Sequence, residues 1–223
     1  MLSREQIEDN KIEFIKLLRS IERPGAKIEE LITKLETSDF FTAPASTKYH
    51  NAFEGGLCDH CLNVYYNMMH LFNYKMETIV PDLNEEVISK WKESIIIVSL
   101  LHDFSKMNFY KLSSRNQKVY CVDGDKYDEL GKFRWETVLA YTVKDIKDRF
   151  MYGSHEMTSE YMARQFIPLT LEESVAISHH ACGMENDSAQ DRVGDLCHRF
   201  SLLTLLHLAD MLGCFVDERV TYE

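Results

Sequence analysis

The residues best suited to chemistry in this chain are histidines and aspartates that end or interrupt apolar segments. Residues 95–101 are almost wholly apolar and run directly into His102 and Asp103. Burying two ionisable groups at the end of such a segment costs free energy unless something binds them. A metal ion would do so, because it supplies the charge that a buried carboxylate and a neutral imidazole need. A core histidine hydrogen-bonded to its neighbour is the alternative, and this pair alone does not decide between the two.

Similar residues recur along the chain, each in or beside an apolar helical segment. They are His60, His102, Asp103, His155, His179, His180 and Asp210. Imidazole and carboxylate ligands together suit Mn, Fe, Co, Ni or Zn, whereas the lack of thiolates in this set argues against a structural zinc site. The set is too large for one four-coordinate ion and suits two divalent ions that share a carboxylate. Because its members are far apart in the sequence, spacing alone does not establish that they meet.

The elements that must position these residues are predicted to be mainly α-helical. Ser3 with Gln6, and Thr170 with Glu173, form capping boxes at two helix starts. Residues 81–84 are predicted to cap the helix that leads to His102. Apolar residues at intervals of three and four predict helices over about 3–21, 26–36, 57–74, 84–102, 154–166, 171–181 and 192–216.

Two segments depart from this helical pattern. Residues 38–57 combine aromatic residues with Pro44 and Gly55-Gly56, which predicts an ordered loop that contains His50. Residues 108–143 hold short β-type runs around an Asp123-Gly124 turn signal, which predicts a small hairpin or ribbon inserted into the helical body. No repeat or linker divides the chain, so we expect one domain over 1–223.

The amino-acid composition restricts the kinds of molecule that the chain can bind. The chain carries 25 Lys and Arg against 36 Asp and Glu, a net charge of −11. This balance argues against binding of duplex nucleic acid, but not against a small anionic substrate beside bound cations. No apolar run approaches the roughly 18 residues of a membrane helix, and the N-terminus lacks the apolar stretch of a signal peptide. The six cysteines are too scattered for a disulfide scaffold. We expect a cytoplasmic protein without membrane association, and its oligomeric state is left open.

The complete ordered set of residues resembles the H…HD…D signature of HD-domain metal-dependent phosphohydrolases. The signature is carried by His60, by the pair in LLHDFSK and by the aspartate of LLHLADM. YGSHEMTSEYM and AISHHACGM match the expanded pattern of members with two metals. KYHNAFEGGLCDHCLNVYYN is similar to the HNAxxGGLxxH segment of small stand-alone HD hydrolases of bacteria and their phages. The resemblance covers an HD core over about 49–216, leaves a helical extension over 1–37, and implies an HD-type helical bundle.

The resemblance also implies roles for individual residues. The first metal would be held by His60, His102, Asp103 and Asp210. A second metal, bridged by Asp103, would be held by His155 and one of the pair at 179–180. His180 is favoured, because its offset from the preceding helix matches relatives with a single histidine there; His179 would then lie behind the ligands or contact a bound phosphate.

Two further residues have weaker arguments. Lys106 lies one helical turn beyond Asp103 and would stabilise phosphate charge in the transition state; a solvated lysine at a helix end explains it equally well. His50 would contact the substrate or protonate a leaving group; a histidine that only packs in its loop is the alternative.

The expected function is metal-dependent hydrolysis of a phosphoester or phosphoanhydride bond in a small phosphorylated metabolite, a nucleotide before others. One alternative is a phosphodiesterase acting on RNA, single-stranded DNA or a cyclic nucleotide, and another is a non-catalytic metal-binding regulatory module. Residues 181–184 read ACGM where cyclic-dinucleotide phosphodiesterases of the family have GYP, which argues against that substrate. No basic or aromatic nucleic-acid-binding module is visible in the sequence.

Overall fold

The computed structural model describes residues 1–80, 83–150, 153–181 and 193–218. Within these residues the chain is mainly helical, as predicted. The helices are α1 (Arg4–Arg19), α2 (Ile28–Glu36), α3 (Gly56–Ile79), α4 (Glu85–Leu101), α5 (His155–Arg164), α6 (Leu171–His179), α7 (Val193–Arg199) and α8 (Ser201–Leu212). Short 3-10 turns cover Phe104–Lys106 and Ile146–Asp148, and a π-helical turn covers Gly213–Asp217. No helix among the described residues is long and apolar enough to cross a membrane.

Local capping signals set several helix starts. Ser3 and Thr170 each form the predicted capping box, with hydrogen bonds in both directions to the residue three positions on. The side chains of Asn84 and Ser154 cap α4 and α5 by accepting a backbone N–H from the first turn. Pro81 and Asp82, the other part of the predicted cap of α4, lie outside the described residues.

The core lies around α3, which packs against α1, α4 and α8. Phe14 of α1 and Leu31 of α2 are fully buried and belong to the same hydrophobic cluster as Phe72 of α3. Phe40, in the loop before α3, packs edge-on against Phe14 and Phe104. The two N-terminal helices therefore share a core with the rest of the bundle.

The predicted ribbon is a three-stranded antiparallel sheet with strand order β1-β3-β2. Its strands are β1 (Tyr110–Tyr120), β2 (Lys126–Asp128) and β3 (Gly131–Val143). The apolar run at 118–122 predicts only the distal part of β1, because the first residues of this strand are mostly polar and show no apolar alternation. They pair with β3 nevertheless, from Tyr110 opposite Val143 to Tyr120 opposite Phe133.

The prediction of one helix over 192–216 is wrong. The structure has α7 and α8 there, separated at Phe200, whose backbone is extended (φ −124°, ψ 93°). At the start of α8 the backbone N–H of Leu202 donates to Oε1 of Glu172 in α6 at 3.2 Å. A side chain from a neighbouring helix thus satisfies an N–H that would otherwise lack a partner. Periodicity does not reveal such a cap, because it comes from a distant part of the chain.

Candidate metal centre

The ends of α4, α5 and α6 meet α3 and α8 at one place in the bundle. His102 is the C-cap of α4 and Asp103 follows it, while His60 lies near the start of α3. His155 opens α5 and His180 is the C-cap of α6. Asp210 lies on α8. Helices that are remote in sequence therefore deliver all six predicted metal ligands to one cluster, which we call the His/Asp cluster.

Asp103 lies between two groups of imidazoles. Its Oδ2 atom is 3.5 Å from Nε2 of His102 and 3.6 Å from Nε2 of His60. Its Oδ1 atom is 3.7 Å from Nε2 of His155 and 3.8 Å from Nε2 of His180. Each carboxylate oxygen thus faces its own pair of imidazole nitrogens.

Asp210 completes the group around Oδ2 of Asp103. Its Oδ1 atom is 3.2 Å from Nε2 of His60. Donor atoms of His60, His102 and Asp210 lie within 4.8 Å of one another, and so do those of His102, Asp103 and His180. Both sets combine imidazole with carboxylate, so the cluster could hold a divalent transition metal.

The outer nitrogens of His60, His102 and His180 have hydrogen-bond partners that orient their rings. Nδ1 of His102 donates to the carbonyl oxygen of Ser99, and Nδ1 of His180 donates to that of Ile177, both at 2.8 Å. A carbonyl only accepts hydrogen bonds, so in the neutral ring Nδ1 carries the proton and Nε2 keeps its lone pair. His60 and His155 have carboxylates beside Nδ1, at 3.1 Å and 3.3 Å. All four Nε2 atoms are held toward the cluster interior, as in metal sites of proteins.

Two features of this interior call for positive charge, in the form of a proton or of a bound cation. Nε2 of His60 and Nε2 of His102 are 3.2 Å apart, and two lone pairs at that distance need a positive charge or a proton between them. Oδ1 of Asp103 is buried and has no hydrogen-bond partner among the described residues. A buried carboxylate oxygen left in this way is costly unless an ion binds it.

The electrostatics of the cluster leave most ligands in the form that binds metals. Burial alone would raise the pKa of Asp103, but Lys106 and His102 hold it well below its usual range. Burial likewise opposes ionisation of Asp210, whereas its hydrogen bond with His60 lowers its pKa. Burial, with His102 and His155 nearby, lowers the pKa of His180 to about 3. Both aspartates are therefore ionised and His180 is neutral at neutral pH.

His60 is the exception among the ligands. Burial would lower its pKa, but the adjacent carboxylates of Glu218 and Asp210 raise it to about 10. In the metal-free chain His60 accordingly carries a proton at neutral pH, which a metal would have to displace.

The loop that carries His50 is held against the start of α3. Asn51 adopts a left-handed backbone (φ 42°), and its side-chain Nδ2 donates to Oδ2 of Asp59 at 2.8 Å. A Cβ atom on Gly56 would lie 2.1 Å from the carbonyl oxygen of Asn51, so only glycine fits there. This packing places the His50 ring 4.9 Å from the His60 ring and accounts for the asparagine and glycine of the HNAFEGG segment.

The remaining sequence candidates divide by position. Nζ of Lys106 donates to Oδ2 of Asp103 at 2.6 Å, so this lysine is part of the cluster rather than solvated. The His50 ring is beside the cluster, and burial together with His60 lowers its pKa to about 4. His180, and not His179, joins the cluster; the His179 ring is exposed, and its Nδ1 atom contacts the carbonyl of Val175.

Two further residues support the site. The position of His207, three residues before Asp210 on one helix face, predicts at most such a supporting role, whereas Glu218 escapes sequence analysis. Nδ1 of His207 donates to the carbonyl oxygen of His180 at 2.7 Å and so supports the end of α6. Glu218 places both carboxylate oxygens 3.1 Å from Nδ1 of His60. It follows the last predicted helix, and no local pattern links it to a histidine 158 positions earlier.

Comparisons with known proteins identify no relative of this chain. No family model matches the chain, and no curated protein or solved structure shows significant similarity to it. Its function must be inferred from the cluster itself, which offers nitrogen and oxygen donors in two adjacent groups.

Proposed function

We propose that this protein is a metal-dependent phosphohydrolase of the HD-domain superfamily, acting on a small phosphorylated metabolite, most simply a nucleotide. The observation that carries the proposal is the position of Asp103, whose Oδ2 atom faces His60 and His102 while its Oδ1 atom faces His155 and His180. One carboxylate between two sets of nitrogen donors fits a site for two divalent cations.

The donor set fits such cations. In the proposed assignment one ion would be held by His60, His102, Asp103 and Asp210. The other would be held by Asp103, His155 and His180. The unpartnered Oδ1 atom of Asp103 supports this assignment. When bound, divalent ions of this kind supply Lewis acidity toward phosphoryl oxygens and a hydroxide nucleophile at neutral pH.

The accessible side of the cluster suggests where a phosphate would bind. His60 and Asp103 are 1–2% exposed, whereas the side chains of His155, Asp210 and Lys106 are 16–22% exposed. The Lys106 ammonium lies on this more open side. There it would bind a phosphoryl oxygen and stabilise the charge that develops in the transition state. Asp103 and Asp210 remain ionised throughout, because their pKa values lie below the usual range.

His50 has a second role in the proposal. Its Nε2 atom is buried without a hydrogen-bond partner among the described residues, and its low pKa keeps the ring neutral. A neutral imidazole beside the cluster would hydrogen-bond the substrate or its leaving group. Which of these two groups it contacts depends on the distance of each from the His50 ring in the bound complex.

The substrate is proposed to be compact rather than polymeric. A net charge of −11 repels a long polyanion, whereas a single phosphate group can be compensated locally by bound cations and Lys106. A cytoplasmic location agrees with such a substrate and with the absence of a membrane-spanning helix from the described residues.

Metal analysis followed by a substrate panel tests the proposal. We expect close to two transition ions per chain and Mn²⁺-dependent release of phosphate or pyrophosphate from at least one nucleoside mono-, di- or triphosphate. The panel includes a cyclic dinucleotide and labelled RNA and DNA oligonucleotides. If the protein cleaves only the cyclic dinucleotide or the oligonucleotides, it is a phosphodiesterase rather than a hydrolase of a small nucleotide. A protein that binds metal and cleaves nothing would instead be a regulatory module.

A variant pair ties turnover to the cluster. Asp103→Ala should abolish turnover and lower the bound-metal content while the helical circular dichroism persists. Asp128→Asn, which alters an aspartate bonded to Lys118 in the ribbon, should leave both unchanged. Near wild-type turnover in Asp103→Ala would remove Asp103 from the mechanism.

A further inference from the structure

Glu218 closes the outer side of the His/Asp cluster from the C-terminal end of the described chain. Its two carboxylate oxygens are both 3.1 Å from Nδ1 of His60, and its side chain is 2% exposed. Nδ2 of Asn63, one turn beyond His60 on α3, donates to Oε1 of Glu218 at 2.9 Å. The carboxylate is therefore held by α3 while it faces the imidazole.

The backbone after α8 is shaped to bring Glu218 to this place. The chain leaves α8 through the π-helical turn at Gly213–Asp217, and the N–H of Glu218 donates to the carbonyl of Gly213 at 2.9 Å. A Cβ atom on Gly213 would lie 3.6 Å from Nδ1 of His60 and 3.5 Å from Oε1 of Glu218. A methyl group at this position would therefore already be in van der Waals contact with the His60–Glu218 pair. The glycine allows the turn to pack directly on the imidazole.

We propose that Glu218 is a positioning residue for metal binding, acting through His60; this inference rests on the proposed function. A carboxylate on Nδ1 holds the proton there, leaves Nε2 free for the metal and increases the electron density of the ring. His102 and His180 receive only the weaker support of neutral carbonyl groups. The turn over 213–218 thereby becomes part of the metal site.

A purely structural clamp is the competing explanation, because the same contacts join the C-terminal turn to α3. Glu218→Gln separates the two. The amide keeps the size of the side chain and an acceptor oxygen but removes the negative charge. Glu218→Ala removes the acceptor as well. Asp217→Asn is the matched control: Asp217 is exposed in the same turn, and its Oδ2 atom accepts from Asn67 at 2.7 Å, away from the cluster.

The affinity of the full chain for Mn²⁺, measured by titration calorimetry, is the first readout. After correction for the protons released on binding, measured in buffers of different ionisation enthalpy, we expect Glu218→Ala to weaken the affinity about 10- to 100-fold and Glu218→Gln about 10-fold, as for outer partners of histidine ligands elsewhere. Asp217→Asn should bind like the wild type. A clamp alone would instead lower the melting temperature of the metal-free variants and leave the affinity of the folded protein unchanged.

The Zn²⁺-loaded protein provides a spectroscopic readout. Its proton spectrum should contain a slowly exchanging, low-field Nδ1–H resonance from His60, which disappears in Glu218→Ala and persists in Asp217→Asn. Equal Mn²⁺ affinity in the wild type and both Glu218 variants would overturn the positioning role and leave the proposed function standing. A wild-type chain that binds no divalent metal would overturn both.

Discussion

At the scale of single residues, the two oxygens of Asp103 have different tasks. One accepts a hydrogen bond from Lys106, whereas the other lacks a hydrogen-bond partner among the described residues and faces His155 and His180. In the metal-free chain the Lys106 ammonium balances the negative charge at Oδ2 of Asp103. In the proposed function, divalent ions would be held by Asp103, and the Lys106 ammonium would bind a phosphate oxygen.

Lys106 is the residue whose substitution separates binding of metal from chemistry. Under the proposed function, Lys106→Met should retain both metals and lower kcat by about 100-fold, because it would remove the positive charge proposed to stabilise the transition state. Steady-state kinetics with metal analysis of each preparation measure both quantities. Lys111→Met, which changes an exposed lysine paired with Asp145, serves as the control. Full activity in Lys106→Met would assign this lysine to charge balance at Asp103 alone.

His60 provides a pH prediction for metal binding. Its neighbours raise its pKa to about 10 in the metal-free chain, so a metal that binds Nε2 must displace a proton. The apparent Mn²⁺ affinity should therefore rise by about tenfold per pH unit between pH 6 and pH 8. Calorimetry in buffers of different ionisation enthalpy should detect the released proton. An affinity independent of pH over this range would contradict His60 as a ligand.

At the scale of elements, Glu173 joins three parts of the bundle. It is fully buried in the first turn of α6, where it accepts hydrogen bonds from Arg23 before α2, at 2.5 Å, and from Ser94 of α4, at 2.6 Å. Burial would raise its pKa, but these donors lower it. This ion pair orients α6, which ends at His180.

Glu173 makes stability depend on pH in a defined direction. Because its pKa is lower in the folded chain than the ordinary value of a glutamate, its contribution is present above about pH 5 and is lost as the pH falls through the folded pKa. Glu173→Gln should cost about 3 kcal/mol of unfolding free energy at pH 7 and progressively less toward pH 3. Urea denaturation at several pH values measures this difference. Glu29→Gln, which changes an exposed ion pair with Arg19, should lower the unfolding free energy far less. If the stability lost in Glu173→Gln does not change with pH, the proposed dependence on the pKa of Glu173 is wrong.

The ribbon contributes none of the proposed metal ligands to the His/Asp cluster. Its strands pair with one another along almost their whole length, and none of the proposed ligands lies on it. Replacing residues 113–140 by an Asn-Gly turn keeps the three inner pairs of β1 and β3, from Tyr110 opposite Val143 to Leu112 opposite Tyr141. Mn²⁺ affinity should stay within about twofold of the wild type. A large loss of metal would show that the ribbon supports the cluster.

At the scale of the whole molecule, the cluster joins five helices that are far apart in sequence. A metal that binds only the folded arrangement adds RT ln(1 + [M]/Kd), about 2.7 kcal/mol per site at 100 times Kd. For a chain of this size that corresponds to a melting temperature about 5–10 °C higher. Thermal unfolding with Mn²⁺ and with EDTA should show this difference, and Asp103→Ala should abolish it. Equal melting curves would argue that the cluster does not bind metal.

Much of the fold follows from local physics. Ser3, Thr170 and Asn84 cap helices because a side-chain oxygen meets backbone N–H groups two or three residues away. These signals depend on neighbouring residues alone and can be recognised in the sequence. The break at Phe200 was not, because it is capped by Glu172 from another helix.

For the site, the sequence alone determined which donors are available: imidazoles and aspartates placed at helix ends and in apolar segments. Donors of these types could bind a metal ion where they meet. The tertiary structure decided that they do meet, that His180 rather than His179 takes part, and that Glu218 supports His60. It also decided which oxygen of Asp103 faces which imidazoles. The physical reason is that each of these facts depends on contacts between helices remote in sequence, and such contacts follow from packing of the whole core rather than from any local pattern.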